Sequence, residues 1–306
     1  MKIALVLAGG GPRGAYQAGV IKGILRKVDE FICAFGNSTG ALISTLVAQQ
    51  NWNLMTRLYT NVKTGNLIEP IIWGDIPLLP DIVDAPDMSE EALLSAAILS
   101  GKPNIYNIDP LMKIVDDNVD FNELKEASCE VGYLCAEFCS SQPLFISSKS
   151  RASAKILRSA LQASVSMPIY MPSVKIGSRA GRYVDGGLCK HLPGVEVLKA
   201  KRFNEADVVM FIATAPVNNI KPKTKNPKMI ETIITTLMGL SDSNDANSLE
   251  KECLLVKQAL KDKKFILVQP DTPLPITSSV KFVPEEMKLA YELGIQKAKE
   301  VNQLLK

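Results

Sequence analysis

The chain has 306 residues, 46% of them hydrophobic and 22% charged, with a formal net charge of +3. That balance is close to the globular average and excludes a largely disordered chain. The charge is too small, and too little interleaved with aromatics, to point to nucleic acid, and no apolar run approaches the roughly 18 residues of a transmembrane helix.

The first element is a continuous apolar run, Ile3 to Ala8, as expected of a strand buried on both faces. It is too short and too quickly ended by glycine to be a signal peptide, so a cytoplasmic location is expected. The run leads into Gly9-Gly10-Gly11-Pro12-Arg13-Gly14 and then a helical stretch from Ala15 to Lys27. Consecutive glycines at a helix N-terminus let backbone N–H groups converge into an anion site. In an acyl-transfer enzyme that anion is the oxyanion of the tetrahedral intermediate. Gly9, Gly11 and Gly14 also fit the dinucleotide fingerprint, which requires a carboxylate at the end of the second strand. That strand ends Ala34-Phe35-Gly36-Asn37, with none.

Phe31 to Phe35 is the second apolar strand, and Ala41 to Ala48 reads as a helix. Between them lies Gly36-Asn37-Ser38-Thr39-Gly40, a serine on a sharp strand-to-helix turn, which is the geometry of a nucleophile elbow. Its hydroxyl stands near the positive end of the following helix dipole.

Residues 64–108 hold Pro70, Pro77, Pro80, Pro86 and Pro103, too many for long regular elements. The apolar stretch from Leu67 to Pro80 reads either as core packing of an irregular insertion or as a lid over acyl chains. Asp109-Pro110 opens a new helix. Strands are expected near 129–139, 143–147 and 174–184. Tyr183-Val184-Asp185-Gly186-Gly187 then places an aspartate before two glycines. The chain holds a single histidine, His191, only six residues beyond Asp185 and directly before Leu192-Pro193-Gly194. There it fits ordering a loop, so a nucleophilic Ser38 would take a carboxylate as its base, with Asp185 the best placed.

Another strand is expected at 207–213. A connection at about 216–228 carries Lys221, Lys223, Lys225 and Lys228; it is either a solvated loop or a contact for anionic headgroups. A last strand near 265–269 and a helix opened by Pro284-Glu285-Glu286 complete the chain. Cys33, Cys129, Cys135, Cys139, Cys189 and Cys253 have neither a secreted-domain framework nor zinc-ligand spacing, and read as buried free thiols. Cys135 and Cys139 are expected on one strand, sharing a face with Val131 and Tyr133. Alternating strands and helices give an α/β fold with a mostly parallel central sheet covered on both faces.

Four features in register resemble the patatin-like phospholipase family, serine acyl hydrolases that use a Ser–Asp dyad. They are the loop Gly9 to Gly14, the elbow Gly36 to Gly40, the small-residue helix and proline turn from Ala160 to Pro168, and Asp185-Gly186-Gly187 followed by Pro193. The resemblance is good to about residue 215 and looser beyond. It implies a three-layer α/β domain spanning 1–306, into which the proline-rich, lid-like insertion at about 64–108 and the flexible basic connection at about 216–228 are set. It implies cleavage of fatty-acyl esters, of the phospholipase A or lysophospholipase type, through an acyl-enzyme at Ser38 with Asp185 as base. Backbone N–H groups of Gly10, Gly11, Arg13 and Thr39 would hold the oxyanion, with Arg13 alternatively closing the loop through its side chain. Gly9, Gly14, Gly36, Gly40, Gly186 and Gly187 would support these turns. No metal or cofactor is expected, and the partner is a phospholipid or other acyl ester met at a membrane surface by transient contact. A non-lipid carboxylesterase, thioesterase or acyltransferase on the same scaffold is the alternative. His191 stands where the family usually has asparagine, and Thr39 where alanine is common. Asp185 is expected to be desolvated, because a normal aspartate is a poor base at neutral pH.

Overall fold

The computed structural model describes residues 1–70, 104–216, 242–260 and 262–306. The proline-rich stretch from 71 to 103 and the lysine-bearing connection both lie outside them, and with them the lid and headgroup readings.

Among the described residues, seven strands form one sheet. Its path runs β6 (Pro143–Ser147), β5 (Glu130–Glu137), β2 (Glu30–Gly36), β1 (Lys2–Leu7), β8 (Val208–Ile212) and β9 (Lys264–Val268), with β7 (Tyr183–Asp185) also paired to β5. β1, β2, β8 and β9 run parallel, as does β5 beside β2. β6 and β7 join β5 antiparallel. A two-residue pair, β3 (Glu69–Pro70) with β4 (Tyr106–Asn107), stands apart.

The central strands are apolar throughout because both faces are covered. Ile3, Leu5 and Leu7 of β1 pack into one buried layer with α1 (Gly14–Ile24), α2 (Thr39–Ala48), α3 (Trp52–Leu58) and α8 (Pro284–Leu304). Ala4, Val6 and Ala8 point the other way, to Leu192, Val197, Val209 and Phe211 and to Leu249, Cys253 and Val256 of α7 (Asp242–Ala259). Among the described residues, the remaining α-helices are α4 (Asp109–Asn118), α5 (Phe121–Glu126) and α6 (Ala154–Ser164). Helices therefore flank a mostly parallel sheet on both faces. No helix among the described residues is long and apolar enough to cross a membrane.

Two sequence expectations need correction. Residues 174–184 are not one strand: Val174 and Tyr183 exchange backbone hydrogen bonds in an isolated bridge, and the chain turns back between them through Gly177, at φ +58°. Cys139 does not share the strand with Cys135. β5 ends at Glu137, whose carboxylate takes the Ser140 N–H and hydroxyl and closes a turn, leaving Cys139 exposed. Cys189 is half-buried, while the other four thiols are buried as expected.

The last helix crosses α1 at backbone contact. A Cβ added to Gly294 would lie 2.2 Å from the Tyr16 carbonyl oxygen, and one on Gly19 would lie 2.1 Å from that of Tyr291. Backbone cannot yield as a side chain can, so Gly294→Ala is expected to destabilise the protein by about 2 kcal/mol through overpacking. Denaturant titration measures it. An unchanged midpoint would mean the two helices can part without loss.

Candidate active site

Four strand ends converge at the carboxyl edge of the sheet, where open α/β sheets bind their ligands. β2 delivers Ser38, β7 delivers Asp185, β1 delivers the glycine loop and β8 delivers Thr214.

The meeting of Ser38 and Asp185 follows from the way β5 is shared. β2 runs parallel along one edge of β5 and stops with Gly36 opposite Tyr133. β7 runs the opposite way along the same strand and stops with Asp185 opposite Cys135, two residues further on. The two strands thus point their C-terminal ends at each other. α6 and the turn after it lock both ends: the Ser38 N–H donates to Ser164 O at 3.0 Å, and the Asp185 N–H donates to Ser166 O at 2.9 Å. Ser164 is held in turn by its hydroxyl, which donates to Leu134 O at 2.7 Å.

Ser38 has φ +51° and ψ −130°, a conformation strained for any residue with a Cβ. Its neighbours Gly36 and Gly40 serve a different need, close approach. A Cβ on Gly36 would lie 2.3 Å from the Gly40 carbonyl carbon, and one on Gly40 would lie 2.5 Å from Leu7 O. The elbow therefore folds tightly onto β1 and presents a half-buried serine.

Asp185 is 2% exposed. Burial pushes its carboxyl up to about 6, opposed by the hydrogen bond from the Gly187 N–H, at 2.8 Å, and by the nearby Ser38 side chain. Asp185 is thus desolvated, as expected. A Cβ on Gly186 would lie 2.5 Å from Leu134 O, so the turn after Asp185 is as tight as the elbow. Asn37 is buried beside them. Its amide donates to Lys190 O at 3.4 Å, while its Oδ1 has no partner among the described residues.

In the glycine loop, Gly10 adopts φ +151° and Gly11 φ +54°. The Arg13 N–H donates to Gly10 O at 3.1 Å, which engages one of the four donors expected for the oxyanion. The Arg13 guanidinium reaches Ser279 Oγ at 3.1 Å and so ties the loop to the segment before α8. A Cβ on Gly9 would lie 3.2 Å from the Ser38 Cβ, which places the loop against the elbow.

Thr39, at the first turn of α2, is held by Tyr59. The two hydroxyls bond to each other, and the Tyr59 hydroxyl also reaches Thr39 O at 3.3 Å. Gly14 makes room for this pair, since a Cβ there would lie 2.3 Å from Thr39 Oγ1. Burial raises the Tyr59 phenol, which stays neutral.

Above these groups opens a narrow cleft. Ser38, Thr39, Gly11 and Ser279 form its polar end, and its walls are apolar, among them Leu42, Ile68, Leu111, Met167, Met171 and Phe282. Ser279, Val280 and Phe282 come from the segment before α8, and Phe282 is anchored by its N–H to Thr64 Oγ1 at 2.9 Å. The sequence offered no sign that this late segment reaches the site. Ser164 stood inside a noted motif, but as one small residue among several. Tyr59 and Thr214 carry no local pattern at all.

A family model described as Patatin-like phospholipase matches residues 5–194. The fold is similar to that of the crystal structure of VipD from Legionella pneumophila, with a TM-score of 0.50 and 13% identity over 99% of this chain and 67% of that one. At that identity the likeness is one of fold. No curated protein matches the sequence.

Proposed function

The chain belongs to the patatin-like phospholipase family, and from that premise we propose that it is a lipid acyl hydrolase working through a Ser38–Asp185 dyad. The observation that carries this reading is the buried Asp185 carboxyl, raised by burial and lying near the side chain of Ser38, a serine of positive φ that lines an apolar cleft.

The acyl chain lies along the apolar walls, with its ester carbonyl at Ser38. Asp185 accepts the hydroxyl proton as Ser38 Oγ bonds to the carbonyl carbon. The oxyanion is met by backbone N–H groups of Gly10, Gly11 and Thr39, none of which has a hydrogen-bond partner among the described residues. Removing one such donor typically costs about 3 kcal/mol of transition-state stabilisation. Arg13, its own N–H engaged, acts through its side chain on Ser279. Collapse of the intermediate returns the proton from Asp185 to the leaving alcohol and leaves the acyl group on Ser38. Water, deprotonated by Asp185, then releases the fatty acid. Residues 1–306 work as one domain in this scheme, since β9 completes the sheet and α8 closes over α1.

The reading predicts fatty-acid release from mixed phosphatidylcholine and phosphatidylglycerol vesicles in EDTA by wild type and not by Ser38→Ala. Equal release by both would overturn it, and release confined to short soluble esters would favour a non-lipid esterase. The cleft makes a second prediction: Leu111→Trp, which narrows it, lowers kcat/KM on hexadecanoyl esters about tenfold relative to butanoyl esters, as a filled apolar pocket discriminates by about 1–3 kcal/mol. Equal loss on both chain lengths would place the acyl chain elsewhere.

A further inference from the structure

Thr214 stands two residues past the end of β8, is 3% exposed, and donates its hydroxyl to Gly9 O at 2.6 Å. It lies beyond the stretch that the family model matches. We propose that Thr214 is a positioning residue for the oxyanion hole: by holding the Gly9 carbonyl it aims the Gly10 N–H at the reacting ester. The proposal rests on the hydrolase reading above and adds to it a residue that touches neither substrate nor nucleophile.

The peptide plane couples the two groups. Gly9 C=O and Gly10 N–H belong to one planar unit, and no cis peptide occurs among the described residues, so the N–H points opposite to the oxygen. Fixing the oxygen fixes the hydrogen. The unit needs fixing because glycine populates both signs of φ with similar ease, so a peptide between two glycines has little of its own to stop it turning over. The contact is also built into the sequence on both sides. A Cβ on Gly10 would lie 2.6 Å from Thr214 Oγ1 and 3.0 Å from Thr214 Cβ, so only glycine lets the threonine come this close. The same peptide begins at Gly9, which packs against Ser38. Thr214 thus reaches from the end of one strand to set the direction of a donor at the end of its neighbour.

The test compares Thr214→Val, which keeps the shape and removes the donor, with Thr214→Ser, which keeps the donor. Each is measured for kcat and KM on a soluble ester, for melting temperature, and for affinity towards two ligands. One is a trifluoromethyl ketone, which forms a tetrahedral adduct on Ser38; the other is an ether analogue that cannot react. The valine variant is expected to lose about tenfold to a hundredfold in kcat, at or below the low end of the roughly hundredfold to thousandfold that losing a whole oxyanion donor costs. Its KM and ether affinity stay within about twofold, because only transition-state contacts change. Affinity for the ketone falls by the same factor as kcat, and the serine variant stays close to wild type. Adduct formation, followed by fluorine NMR, reads the hole even on a poorly turned-over ester. Thr214→Ala carries the same expectation should the valine variant not fold. The proposal is overturned by unchanged kcat and ketone affinity in both, by ketone and ether affinities falling together, or by a serine variant as impaired as the valine one. Ser38→Ala runs alongside. Turnover that survives it sinks the hydrolase reading, whereas Ser38-dependent turnover indifferent to Thr214 sinks only the positioning role.

Discussion

Ser38→Gly is expected to be inactive and yet more stable than wild type, while Ser38→Ala is inactive without the gain. The serine holds φ +51° and ψ −130°, which a Cβ makes costly. Such strain is worth about 1–3 kcal/mol per residue and persists only where the surroundings over-determine it. Here they do. The Ser38 N–H is fixed on Ser164 O, and the flanking glycines press against backbone that leaves no room to relax. Glycine adopts these angles freely but loses about 0.5–1 kcal/mol more conformational entropy on folding. The net gain should therefore be about 1 kcal/mol, or roughly 2 °C in Tm for a chain of this size. Alanine keeps the Cβ and the strain. Both variants lose the nucleophile, and loss of a nucleophile acting as part of a unit costs about 10⁴-fold or more in kcat. Calorimetry of the three proteins beside an acyl-release assay measures both effects. A glycine variant less stable than alanine would mean that the elbow carries no strain worth relieving.

The parts of this site that were legible in the sequence are the ones whose chemistry is local. The run from Gly9 to Gly14 and the elbow around Ser38 each concentrate glycines where a chain must turn sharply beside a helix, so residue types alone announce them. Asp185 could be singled out because one histidine, poorly placed, left a carboxylate as the alternative. What brings Asp185 to Ser38 could not be read. It depends on β2 and β7 ending head-on along one edge of β5, a consequence of strand order and register across some 150 positions of chain. The anchors were hidden for a related reason. Ser164, Thr214, Tyr59 and Ser279 are single polar residues whose partners lie far away in sequence, and one hydroxyl leaves no periodic trace. The strand expected over 174–184 failed because apolar residues at its two ends do not distinguish a continuous strand from a bridge that doubles back through Gly177.

Asp185 ties activity and stability to pH in opposite senses. Burial raises its carboxyl to about 6, while in the unfolded chain it titrates near the ordinary value of about 4. As a base it must be ionised, so kcat/KM should rise with pH through about 6 and level off above. Asp185→Asn should abolish the rise along with most of the activity. Stability runs the other way. Between about pH 4 and 6 the folded state keeps a proton that the unfolded chain has released. The contribution of this group is therefore fully present below about 4 and is lost as pH rises through about 6. Above that, the fold contains a buried carboxylate at a penalty of order 3 kcal/mol, since two pKa units correspond to about 2.7 kcal/mol. An asparagine fills the same space, and its Oδ1 can still accept from the Gly187 N–H, without the charge. Asp185→Asn is thus expected to be more stable than wild type at pH 8, by up to about 3 kcal/mol, with the difference shrinking towards zero near pH 4. Denaturant titrations of the two proteins across that range measure it. A stability difference that does not change with pH would mean that the carboxylate is better solvated than its burial indicates, and the activity midpoint would then fall towards 4 as well.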